Sequence, residues 1–192
     1  MRNSRHTFKN FYTMKKLLFL SLGLLVAVTA LQAQEDIKKD LALAKRSLAS
    51  FTLDQANNKD KLGEAKEAID RVMATDAGKA TGAAWQLKGD IYNEIASQVV
   101  QIRQLNIGKL EDLPKVDNPA VEAVEAYQKA IEMAVKSFEK KDALKGLGLV
   151  QGNLSNLGIY KYEEQDYSSA YKDFKYTIDA HEILKANGEK ST

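Results

Sequence analysis

Few residues of this chain can carry out acid–base, nucleophilic or metal chemistry. Its 192 residues include two histidines, His6 and His181, and no cysteine. The lack of cysteine excludes disulfides, thiolate metal sites and a cysteine nucleophile. His181 has no second histidine nearby in the sequence with which to bind a metal, so we expect a surface or helix-packing role for it. We therefore predict a protein that is not an enzyme, with no catalytic, cofactor-binding or metal-binding residues.

Three glycines, Gly146, Gly148 and Gly152, resemble a dinucleotide-binding loop in their spacing, and Asp166 follows about twenty residues after the first. Such a loop needs a strand before it and a helix after it, so that free backbone N–H groups meet the pyrophosphate. The residues over 140–145, KKDALK, are polar and favour a helix. The glycines are therefore predicted to allow close helix packing rather than to bind a cofactor.

A cluster of carboxylates, Glu163, Glu164 and Asp166, could suggest acid–base catalysis. Paired catalytic carboxylates need different and partly buried environments to separate their pKa values. These three lie at a predicted helix end beside a turn, where side chains are normally solvated. We predict no active site there.

The net charge gives no reason to expect nucleic acid as a partner. The chain has 28 Lys and Arg against 26 Asp and Glu, but residues 1–33 hold five of the cations and no anion. Without that segment the balance is 23 against 26, which is slightly acidic. A surface of that charge does not attract a polyanion.

The N-terminal segment has the pattern of a Sec signal peptide. Lys15 and Lys16 follow a possible start at Met14, a largely apolar stretch covers 17–28, and LQA at 31–33 is a small-residue cleavage site. The apolar stretch is shorter than the about 20 residues of a membrane-spanning helix, although an uncleaved anchor is the alternative. We predict an upstream extension and signal over 1–33, a helical domain over 34–188 and a tail over 189–192. We also predict an exported protein that is periplasmic or associated with the outer membrane of a Gram-negative bacterium, with membrane contact through the signal peptide alone.

Export predicts a mature N-terminus at Gln34, because cleavage would follow Ala33. N-terminal sequencing of the exported protein checks this. An exported chain that still begins at Met14 would contradict it.

The remaining sequence predicts helices. Apolar residues recur at helical spacing in six blocks, and no stretch shows the alternation typical of strands. The blocks cover about 35–50, 60–75, 82–103, a fourth that starts at Pro119, 142–164 and 167–187. The third block has a candidate N-cap in Thr81, and the fourth has one in Asp117 or Asn118. The sixth block ends at Asn187 and Gly188, which is a typical C-cap pair.

Two longer connections, 51–59 and 104–118, separate helices. The second is either a solvated loop or an inserted binding segment.

Motifs in these helices resemble the tetratricopeptide repeat. Trp85, Gly89 and Tyr92 match the W-x2-L-G-x2-Y pattern of the first helix of a repeat, with Lys88 in place of the leucine. The second helix of a repeat carries A-x3-aromatic-x2-A, which Ala123, Tyr127 and Ala130 supply, although about 22 extra residues lie between the two halves.

A repeat-like unit with more regular spacing follows this one in the sequence, and a unit with fewer matching residues precedes it. The later unit has Leu154, Leu157 and Gly158 and then Ala170, Phe174 and Thr177, with Lys161 in place of the tyrosine. The earlier unit is represented by Ala65, Ile69 and Val72 alone. The alternative is an unrelated bundle of helical hairpins. The resemblance implies an all-α fold in which about three antiparallel hairpins stack as a short right-handed solenoid.

The same resemblance implies a non-catalytic scaffold whose first helices line a groove for a partner protein or peptide. The residues that would line this groove are Gln86, Asp90, Asn93, Glu94, Ser155, Ile159 and Tyr162. They are acidic to neutral and lack the Lys and Asn residues with which some family members hold a C-terminal carboxylate. Alternative functions are a carboxylate-dependent hydrolase of the cell envelope with an all-helical fold, or the N-terminal part of a longer structural solenoid.

The last helix predicts an interface at the C-terminal edge. It carries Ala170, Phe174, Ile178, Ile183 and Leu184, which is more apolar surface than one neighbouring helix covers. Self-association, further repeats or a partner could cover this edge. In the opposite case Tyr160, Tyr162 and Tyr171 would close over it.

Overall fold

The computed structural model describes residues 34–191, and these residues are helical with short connections. Helix α1 covers 34–53. The others are α2 (Lys59–Met73), α3 (Asp76–Lys79), α4 (Gly82–Leu105), α5 (Pro119–Met133), α6 (Ser137–Glu163) and α7 (Tyr167–Ala186). A 3-10 turn, Leu110–Asp112, lies in the connection between α4 and α5. The predicted signal peptide over 1–33 lies outside the described residues.

Two compact units divide the chain, Met1–Lys39 and Asp40–Thr192. Of the first, the structure describes only residues 34–39, which belong to α1 and contain an ion pair between Lys39 and Glu35. All other contacts described below lie within the second unit.

Local sequence explains where several helices begin and end. Pro119 occupies the first turn of α5, where its missing N–H costs nothing. Asp166 accepts a hydrogen bond from the backbone N–H of Ser169 at 3.1 Å and so caps α7. Asn106 ends α4 in the left-handed conformation (φ 54°), and Gly188 has a φ of +73° just after α7.

The helices pack against their neighbours along the chain. Helix α4 packs on α5 and α6 packs on α7, while α5 and α4 both contact α6, and α2 contacts α4. Helices α1 and α2 are joined by the hydroxyl of Ser47, which donates to Glu64 at 3.0 Å, and by Arg71, whose guanidinium donates to Asp40 at 2.6 Å. Each helix from α4 to α7 therefore packs against helices that neighbour it in the chain.

One aromatic ring fills the centre of the interface between α4, α5 and α6. Tyr127 on α5 is almost fully buried. A Cβ atom added at Gly89 on α4 would lie 2.6 Å from the ring of Tyr127, and one added at Gly146 on α6 would lie 2.3 Å from it. The ring can occupy this position only because both helices present a glycine to it. Phe174 on α7 lies against Gly158 on α6 in the same way, at 2.7 Å from an added Cβ.

An ion pair is buried between α6 and α7. The Lys161 ammonium lies 2.7 Å from Oδ2 of Asp173, whose side chain is 1% exposed. The same ammonium donates to the side-chain oxygen of Asn118 at 3.0 Å. Lys161 therefore ties the start of α5 to both helices of the last hairpin.

The structure confirms the all-α prediction and all six predicted helices in the described range, and it adds α3 and the 3-10 turn. Gly89, which matches the glycine of the repeat motif, lies at a close contact between α4 and α5. Trp85 on α4 has intermediate exposure. Its indole N–H donates to the carbonyl of Lys79 at the end of α3 at 2.8 Å, while Tyr127 takes the space beside Gly89.

Candidate functional site

A large open cavity lies between α1, α4 and the turn that joins α5 to α6. Its volume is about 980 Å³, which is at the upper end of the range for ligand pockets in proteins. We call it the groove cavity. Its walls are largely apolar and are formed by Leu41, Leu48, Leu87, Met133, Val135 and Phe138. Val135 and Phe138 are 92% and 56% exposed, so the apolar surface is available to a binding partner.

The carboxylates of the groove cavity come from α4 and α6. Asp90 accepts a hydrogen bond on Oδ1 from the Tyr127 hydroxyl at 2.9 Å and another from the Gln86 amide at 3.0 Å. Burial raises the pKa of Asp90, and the two hydrogen bonds oppose that shift. The negative charge of Asp142 raises the pKa of Asp90 further.

Glu139 has a defined structural role at the start of α6. Its carboxylate accepts hydrogen bonds from the backbone N–H groups of Val135 and Lys136, each at 3.0 Å. These bonds lower the pKa of Glu139. Lys45 from α1 contributes a cation to the lining.

Two of the predicted groove residues, Gln86 and Asp90, line the groove cavity. Asn93 and Glu94 lie on the next turn of α4 and are held by hydrogen bonds. The side-chain oxygen of Asn93 accepts from the amide of Asn153 on α6 at 2.8 Å, and Glu94 accepts from Gln98 at 2.9 Å. The first contact joins α4 to α6.

The other predicted groove residues lie on α6, away from the groove cavity. The Ser155 hydroxyl donates to the backbone carbonyl of Gln151 at 3.2 Å within the helix. Ile159 and Tyr162 are both exposed, and the ring of Tyr162 meets that of Tyr167 edge to face. The structure therefore brings the α4 residues to the cavity and leaves Ser155, Ile159 and Tyr162 outside it.

Sequence reasoning missed the contribution of α1 and of the turn between α5 and α6. Leu41, Lys45 and Leu48 on α1 and residues 133–138 at the turn complete the cavity. One sequence feature could have indicated the contribution of this turn. It is Phe138, an aromatic residue in a polar segment before the predicted start of the fifth helix.

The glycine, carboxylate and histidine motifs of the sequence have structural roles. All three glycines of the possible dinucleotide loop lie inside α6. Glu164 pairs with Arg103, and Asp166 caps α7. His181 is exposed and its Nδ1 lies 2.8 Å from the hydroxyl of Ser191. Within 34–191 no group of three or more His, Asp and Glu side chains is arranged to hold a metal ion.

The 104–118 segment borders a second cavity of about 410 Å³. Leu105 and Ile107 line it and are 63% and 71% exposed. Further along, Pro114 lies against α2, 3.9 Å from the position of a Cβ on Gly63. The segment is therefore packed against the helices over part of its length.

No described helix is both long enough and apolar enough to cross a bilayer. No family model, curated protein or solved structure matches the chain.

Proposed function

We propose that this protein is an exported, non-catalytic interaction scaffold of the bacterial cell envelope, built from stacked hairpins similar to tetratricopeptide repeats. The order of hairpin contacts along the chain supports this proposal. The glycine and aromatic positions of the repeat motif support it further, because Gly89 meets Tyr127 and Gly158 meets Phe174 across helix interfaces.

The observation that carries the proposal is the groove cavity. Helices α1 and α4 line it together with the start of α6. Such a concave surface with apolar walls and few polar groups is typical of ligand and peptide sites.

Site-specific photo-crosslinking in cells tests the proposal. A benzoyl-phenylalanine at position 135 would place the crosslinker on an exposed side chain of the groove cavity. The matched control carries it at Lys129, which is exposed on α5 and does not line the cavity. We expect a discrete adduct with an envelope protein from position 135 that is missing from position 129. Identical adducts from both positions, or none from either, would contradict groove binding.

The hydrolase alternative can be tested with the same protein. Asp90 and Asp142 both line the groove cavity, and they are the carboxylates that such an enzyme could pair there. Both hydrogen bonds to Oδ1 of Asp90 come from the fold itself, which favours a structural role. Hydrolysis of envelope polysaccharide by the purified protein that is lost in Asp142→Asn would favour the enzyme over the scaffold.

The outer face of α7 supports self-association as a further part of this proposal. Tyr171, Phe174 and Ile178 lie at helical spacing and are 71%, 36% and 58% exposed. Tyr162 is 60% exposed, so the tyrosines do not close over this edge. On the same helix Lys172 and Lys175 precede Thr177, and Asp179 and Glu182 follow it. Two copies of α7 packed antiparallel about Thr177 would therefore place opposite charges beside a shared apolar stripe.

We expect the mature protein to be a dimer whose dissociation constant rises at least tenfold in Ile178→Ser. This variant is preferable to Phe174→Ser because Phe174 also packs inside the protein against Gly158. Multi-angle light scattering over a concentration series provides the measurement, with Leu149→Ser as a control at an exposed apolar position of α6. A monomer at high concentration, or equal weakening by both variants, would contradict dimerisation through α7.

A further inference from the structure

Both ends of the connection between α4 and α5 are held by the C-terminal end of α6. We call this connection, residues 104–118, the strap. Just before it begins, Arg103 on α4 forms an ion pair with Glu164. At its other end, the ammonium of Lys161 donates to the side-chain oxygen of Asn118 at 3.0 Å. One end of α6 therefore fixes both the point where the strap leaves α4 and the point where it enters α5.

Between these two ends the strap contacts α2 and borders the second cavity. Pro114 lies 3.9 Å from the position of a Cβ on Gly63 of α2. Ile107 and Leu113 line the cavity, and its remaining lining comes from α4, the end of α1 and the start of α2. Only four residues lie between Pro114 and the first residue of α5. The position of the strap against α2 therefore depends on how the start of α5 is held.

The side chain of Asn118 has two available partners. It occupies the N-cap position of α5, where an asparagine oxygen normally accepts a backbone N–H from the first turn of the helix. In this structure the cap bond is not made, and the oxygen accepts from Lys161 instead. Asn118 can therefore exchange one hydrogen bond for another when Lys161 leaves, which makes the start of α5 an element with two arrangements.

The position of Lys161 depends in turn on the charge of Asp173. The ammonium lies 2.7 Å from the buried carboxylate of Asp173 on α7, and the side chain of Lys161 is 18% exposed, so water is within its reach. Burial raises the pKa of Asp173. Asp173 therefore takes up a proton at a pH at which an exposed aspartate is still charged. A neutral Asp173 leaves the ammonium without its counter-charge, which favours movement of the ammonium into solvent.

Other charged groups surround this ion pair without replacing it. The groups that act on Asp173, or that face α7 from α5, are Lys161, Lys172, Asp166, Glu122 and Glu125. Among the charges that act on Asp173, Lys161 has the largest effect, Lys172 also favours the charged form, and Asp166 opposes it. The two glutamates of α5 lie near the hydroxyl of Tyr176, which donates to Glu125. Loss of the charge of Asp173 therefore acts chiefly on Lys161.

We propose that the strap is a proton-sensitive cover of the second cavity and that Lys161 is its latch. While Asp173 is charged, Lys161 is held between Asp173 and Asn118 and keeps the strap closed. When a carboxylate oxygen of Asp173 takes up a proton from solvent, Lys161 turns to water, Asn118 caps α5, and the strap moves away from α2. This inference concerns access to the second cavity and does not depend on binding in the groove cavity.

Distances between pairs of spin labels test this inference. The chain has no cysteine, so introduced cysteines are labelled specifically. One pair, Glu67→Cys and Lys115→Cys, replaces exposed residues on α2 and on the strap. The control pair, Glu67→Cys and Lys129→Cys, joins α2 to α5. Double electron–electron resonance on the mature protein at pH 7 and pH 4 should show a longer and broader 67–115 distance at pH 4, and an unchanged 67–129 distance.

Two variants connect this movement to the latch. Asp173→Asn removes the charge at the same size, and should shift the 67–115 distance at pH 7 towards the value of the wild type at pH 4. Asn118→Ala removes the oxygen that Lys161 holds, and should open the strap at both pH values while the Lys161–Asp173 pair stays intact. Asp117→Ala removes an exposed carboxylate of the strap and should behave like the wild type. Circular dichroism melting reports whether each variant keeps its fold.

Three results would overturn the proposal. The first is an equal 67–115 distance at pH 7 and pH 4 in the wild type. The second is a pH response that persists unchanged in Asn118→Ala, because the movement would then not pass through the latch. The third is an equal shift of the 67–129 distance, because acid would then be moving the helices rather than the strap. If Asp173→Asn does not fold, Asn118→Ala decides alone, since it leaves the buried pair untouched.

Discussion

Replacing Lys161 by methionine is expected to lower the free energy of unfolding at neutral pH by about 3–5 kcal/mol, which is the cost of leaving a buried charge without its partner. Asp173 is 1% exposed, and its Oδ2 has the Lys161 ion pair but no well-directed hydrogen bond. Removal of the ammonium leaves this carboxylate in an apolar interface. Urea denaturation monitored by circular dichroism measures the change.

The pH dependence of this loss identifies Asp173 as its cause. Burial raises the pKa of Asp173 even with Lys161 present, and the opposing effect of Lys161 disappears in the variant. A carboxyl whose folded pKa is raised stabilises the fold below its unfolded pKa of about 4, and that contribution is lost as the pH rises through the folded value. Lys161→Met should therefore be less destabilised, relative to wild type, near pH 4 than near pH 7.

Two further variants serve as controls for the ion pair. The double variant Lys161→Met, Asp173→Leu should recover most of the lost stability, because an apolar pair can replace a buried ion pair. Lys129→Met breaks a pair with Glu132 in which both side chains are more than half exposed, and it should cost less than about 1 kcal/mol. An unchanged stability of Lys161→Met at pH 7, or a loss that does not diminish at pH 4, would contradict this account.

The ion pair also shows how far the sequence can predict the fold. Lys161 is visible in the sequence as a departure from the repeat motif, because it occupies the position of a tyrosine. Nothing in the sequence indicates that Asp173, twelve residues away in the next helix, pairs with it. Helix limits are more predictable, because Pro119 and the Asn187–Gly188 pair act locally. The short helix α3 escapes prediction because it depends on one cap, in which Thr75 accepts from the N–H of Gly78 at 2.9 Å.

Of the residues predicted to line a groove, Gln86 and Asp90 on α4 border the groove cavity, and Ser155, Ile159 and Tyr162 on α6 do not. Gln86 and Asp90 share one helix face, which the 3.6-residue period makes visible in the sequence. The rest of the groove cavity depends on how α1 and the turn between α5 and α6 lie against α4, and these contacts join residues far apart in the chain. Ile159 and Tyr162 lie on α6 beyond the end of the cavity.

Gly146, Gly148 and Gly152 in α6 differ in their tertiary surroundings, and this gives the second large expected effect. Gly146→Ala should lower the free energy of unfolding by about 1–3 kcal/mol through overpacking, because the new methyl would meet the Tyr127 ring. Gly89→Leu, on the other side of the ring, should cost at least as much. The ring cannot move aside easily, since it is almost fully buried and its hydroxyl donates to Asp90.

Gly148 and Gly152 provide matched controls in the same helix. A Cβ at either position would meet nothing within 4 Å, so Gly148→Ala and Gly152→Ala should each raise stability by up to about 1 kcal/mol through helix propensity. The identical substitution thus has opposite signs at positions two residues apart. Thermal melts of the three alanine variants measure the contrast, and equal shifts for all three would contradict the packing described here.

A double variant tests whether Tyr127 is the cause. In a Tyr127→Leu background the smaller side chain leaves space between α4 and α6, so adding Gly146→Ala should cost less than it does in wild type, or even restore stability by filling part of the cavity. The difference between the two costs is the coupling energy between the ring and the glycine. If Gly146→Ala is equally destabilising in both backgrounds, the Tyr127 ring is not the reason that position 146 needs a glycine. The proposed repeat-like stacking would then lose the packing contact that supports it most. If the coupling is large, the aromatic position of the second helix and the glycines of two neighbouring first helices form one packing unit, as the proposed stacking of hairpins requires.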